Sequence, residues 1–116
     1  MRTIEPHEFD PATPVLDVRK HRGNEQPRGA LRYDPQKLLD AGKLVLPLPK
    51  EGAVALLSDN DELANAIGER LESQGYGEAL VLRGGIDEWK ARDLPTEEAT
   101  QEQPIPGQED AGIHLS

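Results

Sequence analysis

The stretch that decides the fold runs from Ala53 to Gly75 and reads AVALL, then SDNDE, then LANAIGERLESQG. Its leading apolar residues, 53–57, predict a β-strand that is buried on both faces of a sheet. The segment after it predicts a helix with one apolar face, because large apolar residues recur at intervals of four. These residues are Leu63, Ile67 and Leu71.

The junction between this strand and this helix begins at Ser58. Asp59, followed three residues later by Glu62, predicts a capping pair at the start of the helix, and Gly75 predicts a left-handed stop at its end. In α/β sheets, ligands bind beyond the carboxyl end of a strand and at a helix N-terminus. The segment from Ser58 to Leu63 is therefore the candidate functional site.

The rest of the chain also alternates between strands and helices. Strands are predicted at residues 2–5, 15–19, 30–33 and 79–82, and helices at residues 35–41 and 86–91. Asp34 and Pro35 supply a cap and a first-turn proline, and the pair Gly84-Gly85 lets the last helix start directly after a strand. Trp89 is expected to pack on the sheet. This alternation predicts a single α/β domain with a mainly parallel sheet.

Length and charge limit the classes of function. A chain of 116 residues suits one small domain. The formal net charge of −9 argues against nucleic acid as a partner, because an acidic chain repels phosphates. No apolar run approaches the roughly 18 residues of a membrane span. Residues 1–6 lack the apolar core of a signal peptide, so we expect a cytoplasmic protein.

The sequence contains no cysteine. This excludes disulfides, thiolate metal sites and any thiol nucleophile. No group of histidine, aspartate and glutamate residues has the spacing of metal ligands, so we expect neither a metal nor another cofactor.

The C-terminal segment differs in composition from the rest. Residues 97–116 carry five acidic side chains and no lysine or arginine, so they hold −5 of the formal net charge and leave −4 for residues 1–96. The segment is rich in glutamine and interrupted by proline and glycine, which predicts a flexible tail. We therefore place the domain at residues 1–96 and an acidic C-terminal tail at residues 97–116.

A basic segment lies between Arg19 and Arg32, where five basic residues accompany one acidic residue. The basic residues are Arg19, Lys20, Arg22, Arg28 and Arg32. Two interpretations stay open: solvated loop side chains, or a surface for an acidic partner or an anionic ligand.

Several segments follow one another in an order that is typical of a known family. They are Val15–Arg19, Arg28–Ala30, the strand-loop-helix at 53–75, Val81–Trp89 with its Gly-Gly-x-x-x-Trp pattern, and Leu94-Pro95. In this order and spacing the chain resembles the rhodanese-like domain family over residues 3–96. The resemblance implies a central sheet of about five strands, mainly parallel, with helices on both faces.

In that family the strand before the central helix ends in a catalytic cysteine, which takes a sulfur atom from a donor such as thiosulfate and passes it on. A loop of the form C-x-x-G-x-R-S follows, and its backbone N–H groups hold the thiolate or persulfide anion. The resemblance places Ser58 in the cysteine position, Asp61 on the glycine, Leu63 on the arginine and Ala64 on the serine. A serine hydroxyl is not ionised at neutral pH without a base, and it cannot form a persulfide.

Acidic residues also occupy this loop. Asp59, Asp61 and Glu62 place three negative charges where the family binds an anion, so they would repel thiosulfate or phosphate. We predict that the loop is a vestige without catalytic residues. It consists of Ser58, Asp59, Asn60, Asp61, Glu62 and Leu63.

Three functional hypotheses remain. The first is a non-catalytic rhodanese-like domain that serves as a protein-interaction or regulatory module, with another protein as its partner. The second is a component of a sulfurtransferase pathway that docks a persulfide carrier. The third is an enzyme that uses Ser58 as its nucleophile, although the histidines His7, His21 and His114 lie in terminal segments or a loop. The partner's identity and the oligomeric state stay open.

Overall fold

The computed structural model describes residues 2–5, 8–10, 12–20 and 23–103 of the chain. Within these residues the main sheet has five strands, all parallel, in the order β1-β6-β5-β2-β4. Its strands are β1 (Arg2–Ile4), β2 (Val15–Asp17), β4 (Leu31–Arg32), β5 (Val54–Leu57) and β6 (Ala79–Leu82). The predicted α/β class and the five-stranded parallel sheet are confirmed.

The helices cover both faces of this sheet, as the resemblance implied. They are α1 (Pro35–Asp40), α2 (Asp61–Ser73) and α3 (Gly85–Ala91). Strand β5 shows why its sequence is apolar throughout: Val54 and Leu56 pack into the core with α1 and α2, whereas Ala55 and Leu57 pack into the core with α3. Because successive side chains of a strand point to opposite faces, a strand between two helical layers needs an unbroken apolar run.

Two helix boundaries follow from the local sequence. The side chain of Asp34 accepts hydrogen bonds from the backbone N–H groups of Gln36 and Lys37, and Pro35 begins α1. Gly75, with φ of 92°, follows the last residues of α2. Both features were predicted, since a capping aspartate and a left-handed glycine have few alternatives.

A second, two-stranded antiparallel sheet joins β3 (Glu25–Pro27) to β7 (Thr96–Glu98). The sequence did not predict these strands, because both are short, polar and without alternation. The predicted boundary between domain and tail at residues 96 and 97 falls inside β7. Residues 97–103 therefore belong to the folded structure, whereas the rest of the predicted tail, 104–116, lies outside the described residues.

Side chains fasten this C-terminal segment, residues 96–103, to the domain. Gln26 is fully buried; its amide nitrogen donates to a carboxylate oxygen of Glu97 at 2.9 Å, and its amide oxygen accepts from the backbone N–H of Thr100 at 3.1 Å. The backbone N–H of Gln103 donates to the carbonyl oxygen of Arg32 at 2.7 Å. None of the helices in the described residues is long and apolar enough to span a membrane.

Candidate functional site

The candidate site lies at the carboxyl edge of the parallel sheet, where the loops after β2, β5 and β6 meet. A cleft of about 390 Å³ opens there. Its lining residues are Arg19, Ser58, Asp59, Asp61, Gly84, Gly85, Ile86 and Asp87. A Cβ atom on Gly85 would lie 3.3 Å from the carbonyl oxygen of Ser58, so glycine allows the loop after β6 to lie close to the loop after β5.

Ser58 follows β5 directly and is 9% exposed. Its hydroxyl accepts a hydrogen bond from the backbone N–H of Asn60 at 3.1 Å and donates one to the carbonyl oxygen of the same residue at 3.0 Å. The hydroxyl proton is therefore engaged with the backbone of the loop. These side-chain to backbone bonds stabilise the turn into α2, because the backbone of the loop has no neighbouring strand to bond with.

The helix cap is Asn60 and not Asp59, so the predicted capping residue was wrong. The side-chain oxygen of Asn60 accepts a hydrogen bond from the backbone N–H of Leu63 at 3.0 Å. Asp59 instead accepts from the backbone N–H of Lys20 at 3.2 Å, which ties the loop after β5 to the loop after β2. The helix begins one residue later than the predicted pair requires, and this shift gives the cap to the next residue with a short polar side chain.

A buried ion pair between Arg19 and Asp17 adjoins the cleft, which Arg19 also lines. Nε and Nη2 of Arg19 donate to the two carboxylate oxygens of Asp17 at 2.9 and 2.7 Å, and Nη2 also donates to the carbonyl oxygen of Glu25. Nη1 of Arg32 donates to the carbonyl oxygen of Asp17 at 3.1 Å. Such a two-point Arg–carboxylate contact fixes the orientation of both side chains.

This pair corrects one interpretation of the basic segment. Arg19 and Arg32 are 4% and 7% exposed, so they are not solvated loop side chains. Lys20 and Arg28 are exposed, and Arg22 lies outside the described residues. A signal for the pair was present, because residues two apart on a strand lie on the same face.

Three exposed carboxylates, those of Asp59, Asp61 and Asp87, surround the mouth of the cleft. Two of them come from the loop after β5 and the start of α2, and the third comes from α3. No three histidine, aspartate or glutamate side chains are grouped as metal ligands in the part of the chain that the structure describes.

Solved structures of rhodanese-like domains share the fold of this chain. No protein-family model and no curated protein matches the chain. Among solved structures, the solution structure of the rhodanese-like domain of the Alr3790 protein from Anabaena sp. matches with a TM-score of 0.67 and 24% identity, over 88% of each chain. A crystal structure of a rhodanese-like domain of the same protein matches with a TM-score of 0.62 and 28% identity, over 74% of this chain and 99% of that one.

The chain has the fold of rhodanese-like domains. A 3-mercaptopyruvate sulfotransferase of Escherichia coli, SseA, also matches, with a TM-score of 0.60 and 20% identity; the match covers 88% of this chain and 52% of that one. At less than 25% identity, the matches to SseA and to the solution structure show the fold alone. The sequence has no cysteine, so it lacks the residue type that the resemblance to rhodanese-like domains places at the end of β5.

The structure brings only part of the predicted loop to the cleft. Ser58, Asp59 and Asp61 line it, whereas Asn60 caps α2. Glu62 is exposed and Leu63 packs against the core; neither lines the cleft. Five further lining residues were not among the predicted loop residues. One is Arg19, which follows β2, and the others come from the loop after β6 and the first turn of α3: Gly84, Gly85, Ile86 and Asp87.

Proposed function

We propose that this rhodanese-like domain transfers no sulfur and serves as a protein-interaction module. The observation that carries the proposal is the state of Ser58. It stands where the resemblance places the sulfur-carrying cysteine, and its hydroxyl is closed onto the backbone of Asn60. A persulfide requires a thiol, and the sequence has none.

The charges of the cleft support the same proposal. Asp59 and Asp61 stand beside Ser58, and Asp87 faces them from α3. Thiosulfate, persulfide and phosphate are anions, so their approach to three exposed carboxylates is electrostatically unfavourable. The loop Ser58–Leu63 is thus a vestige of the family's site that now ends a strand and caps a helix.

A serine nucleophile is disfavoured as well. Such a residue needs a base within hydrogen-bond reach of its hydroxyl. The hydroxyl proton of Ser58 is donated to a backbone carbonyl oxygen, which is not a base at neutral pH. The expected partner is another protein and not nucleic acid, given the net charge of −9. A cytoplasmic location belongs to the proposal, and cell fractionation tests it.

A thiosulfate:cyanide assay with the purified full chain tests the absence of catalysis. We expect no thiocyanate above background. Thiocyanate production that disappears in Ser58→Ala would overturn the proposal, since it would make Ser58 a reacting group.

A second variant separates the missing thiol from the altered loop. We expect Ser58→Cys to remain nearly inactive, because the neighbouring carboxylates raise the pKa of the introduced thiol and lower its thiolate fraction. A measured thiol pKa below about 7, together with robust turnover, would contradict this reasoning.

The interaction role needs its own test. The immobilised full chain is used to capture proteins from the cells that encode it, and each captured protein is then purified and tested for direct binding. We expect at least one direct partner. If no protein binds above the level of bare resin, the interaction role is wrong.

A further inference from the structure

A further cavity, of about 420 Å³, lies at the amino edge of the main sheet, and we call it the amino-edge cavity. Val15, the first residue of β2, lines it together with Gly29, which precedes β4, and Trp89 of α3. Ser58 follows the last residue of β5, so the parallel strands separate this cavity from the cleft. Its volume lies within the range of about 300–1,000 Å³ that is typical of sites for small molecules.

The walls of the amino-edge cavity are mainly apolar in the described residues that line it. The larger apolar side chains are those of Phe9, Pro14, Val15, Trp89, Leu94 and Pro95. The rings of Phe9 and Trp89 meet edge to face with their centroids 4.9 Å apart, and Nε1 of Trp89 donates to the carbonyl oxygen of Pro95 at 2.9 Å. These contacts fix both rings in place, so the walls suit an aromatic group on a ligand.

The polar groups at the cavity indicate what else the ligand carries. Arg28 is the charged residue among the described lining residues, and it is exposed. Its planar guanidinium can donate two parallel hydrogen bonds to one carboxylate. Two neighbouring donors are already engaged, because Nε1 of Trp89 donates to Pro95 and the backbone N–H of Gly29 donates to Glu97. One arginine therefore suits a single carboxylate better than phosphate or sulfate, whose additional oxygen atoms need further donors.

We propose that the amino-edge cavity binds a small monocarboxylic acid with an aromatic body. The aromatic body lies beside Phe9 and Trp89, and the carboxylate meets Arg28 at the mouth. Because the cavity and the cleft at Ser58 lie at opposite edges of the sheet, this inference goes beyond the proposed interaction role and does not depend on it.

Two acidic residues near Arg28 limit the affinity. The hydrogen bond from the N–H of Gly29 lowers the pKa of Glu97, and the nearby charge of Arg28 contributes to this lowering. Asp10 accepts a hydrogen bond from the backbone N–H of Ala12, which lines the cavity. We therefore expect a dissociation constant of about 0.1–2 mM for a ligand of about eleven non-hydrogen atoms, with apolar contact as its main source and Arg28 selecting the carboxylate.

A titration of the full chain, labelled with ¹⁵N, with hydrocinnamate tests this proposal. Trp89 is the only tryptophan of the sequence, so its Nε1–H gives a single indole signal from the wall of the cavity. We expect that signal and the backbone amides of residues 12–15 and 28–29, proline apart, to shift as the acid is added up to about 5 mM. Hydrocinnamamide lacks the charge and should bind about 2- to 10-fold more weakly, and phenylpropylamine, which reverses it, more weakly still.

Two pairs of variants separate the contribution of Arg28 from that of the apolar walls. Arg28→Gln should weaken hydrocinnamate about 2- to 10-fold and remove its advantage over the amide, whereas Lys43→Gln, at an exposed position that does not line the cavity, should leave binding within about 2-fold. Ala12→Leu enlarges a lining side chain and should weaken the acid and the amide alike. Ala91→Leu makes the same change at an exposed position of α3 that does not line the cavity, and it should weaken neither.

Four results would overturn the inference. They are an unmoved Trp89 indole signal, equal weakening by Arg28→Gln and Lys43→Gln, binding of the amine as tightly as the acid, and equal effects of the two leucine substitutions. Sodium sulfate should leave the indole signal in place, and a shift as large as that caused by hydrocinnamate would show a general effect of anions and overturn the inference too.

A blocked peptide with phenylalanine next to glutamate covers the other source of this ligand chemistry. If it binds more tightly than hydrocinnamate, the cavity accepts a side chain of a partner protein and the assignment to a small acid is wrong. None of these measurements involves sulfur transfer or the capture of a partner, so the inference can fail while the proposed function stands.

Discussion

Truncation of Trp89 to alanine tests the packing of the core on the α3 side of the sheet. The indole is 2% exposed, its ring centroid lies 4.9 Å from that of Phe9 in an edge-on arrangement, and Nε1 donates to the carbonyl oxygen of Pro95 at 2.9 Å. Removal of such a side chain costs about 3–5 kcal/mol of the free energy of unfolding. A domain of this size has about 5–15 kcal/mol in total, so the variant should be marginal.

A second variant, Trp89→Phe, removes the hydrogen bond to the carbonyl oxygen of Pro95. This oxygen also accepts a hydrogen bond from the backbone N–H of Arg28 at 3.0 Å, so it keeps a partner when the indole N–H is removed. Trp89→Phe preserves an aromatic ring beside Phe9 and should cost only about 1–2 kcal/mol. Ser58→Ala is the comparison at the cleft and should cost about 0.5–1.5 kcal/mol, because both bonds of its hydroxyl are local.

Urea unfolding measures these differences. It must be followed by far-ultraviolet circular dichroism, since Trp89 is the only tryptophan and its fluorescence disappears with the substitution. If Trp89→Ala changes the free energy of unfolding by less than about 1 kcal/mol, the range typical of surface substitutions, Trp89 does not hold the core together. A larger loss of stability in Ser58→Ala than in Trp89→Ala would contradict the prediction too.

Two further predictions concern single contacts. Gly77→Ala should destabilise the domain by about 1–3 kcal/mol in urea unfolding, because its Cβ would lie 1.8 Å from the carbonyl oxygen of Gly52. Gly42→Ala, with nothing within 4 Å, should be neutral or slightly stabilising, and equal losses in both variants would contradict the contact. Hydrogen bonds from the backbone N–H of Gly29 and the side-chain amide of Gln26 hold the pKa of Glu97 below the usual glutamate value. The contribution of Glu97 to stability is therefore complete above the usual pKa, and it is lost as the pH falls through the lowered pKa. The Gly29 amide shift should follow this lowered titration in an NMR pH series, and a midpoint at the ordinary glutamate pKa would contradict it.

The sequence predicted the parallel sheet because its strongest signals are local. The apolar run at 53–57 has no polar break, so only a strand with two covered faces fits it. Asp34-Pro35 and Gly75 are similarly unambiguous, because each residue type suits few backbone positions. The resemblance added the strand count, which these signals leave undefined.

The missed features depend on contacts between distant segments. Strand β7 is held to β3 by the buried amide of Gln26, which bonds Glu97 and Thr100 more than seventy residues away. The polar sequences of β3 and β7 do not indicate that these two strands pair. The cap at Asn60 was missed for another reason: four consecutive polar residues, 58–61, could each begin a helix, and only tertiary contacts of Ser58 and Asp59 decide among them.

The order of strands in the main sheet also has a consequence for how the protein is made. Strand β1 pairs only with β6 in that sheet, so the ladder that joins Arg2 to Leu80 can form only after β6 has been synthesised. Closing so long a loop is entropically costly and slows folding. During synthesis, nearly the whole domain must leave the ribosome before its first strand can find a neighbour. Until β6 emerges, β5, β2 and β4 would assemble with the edge of β5 open, and this edge is the place where we expect chaperones or aggregation to intervene.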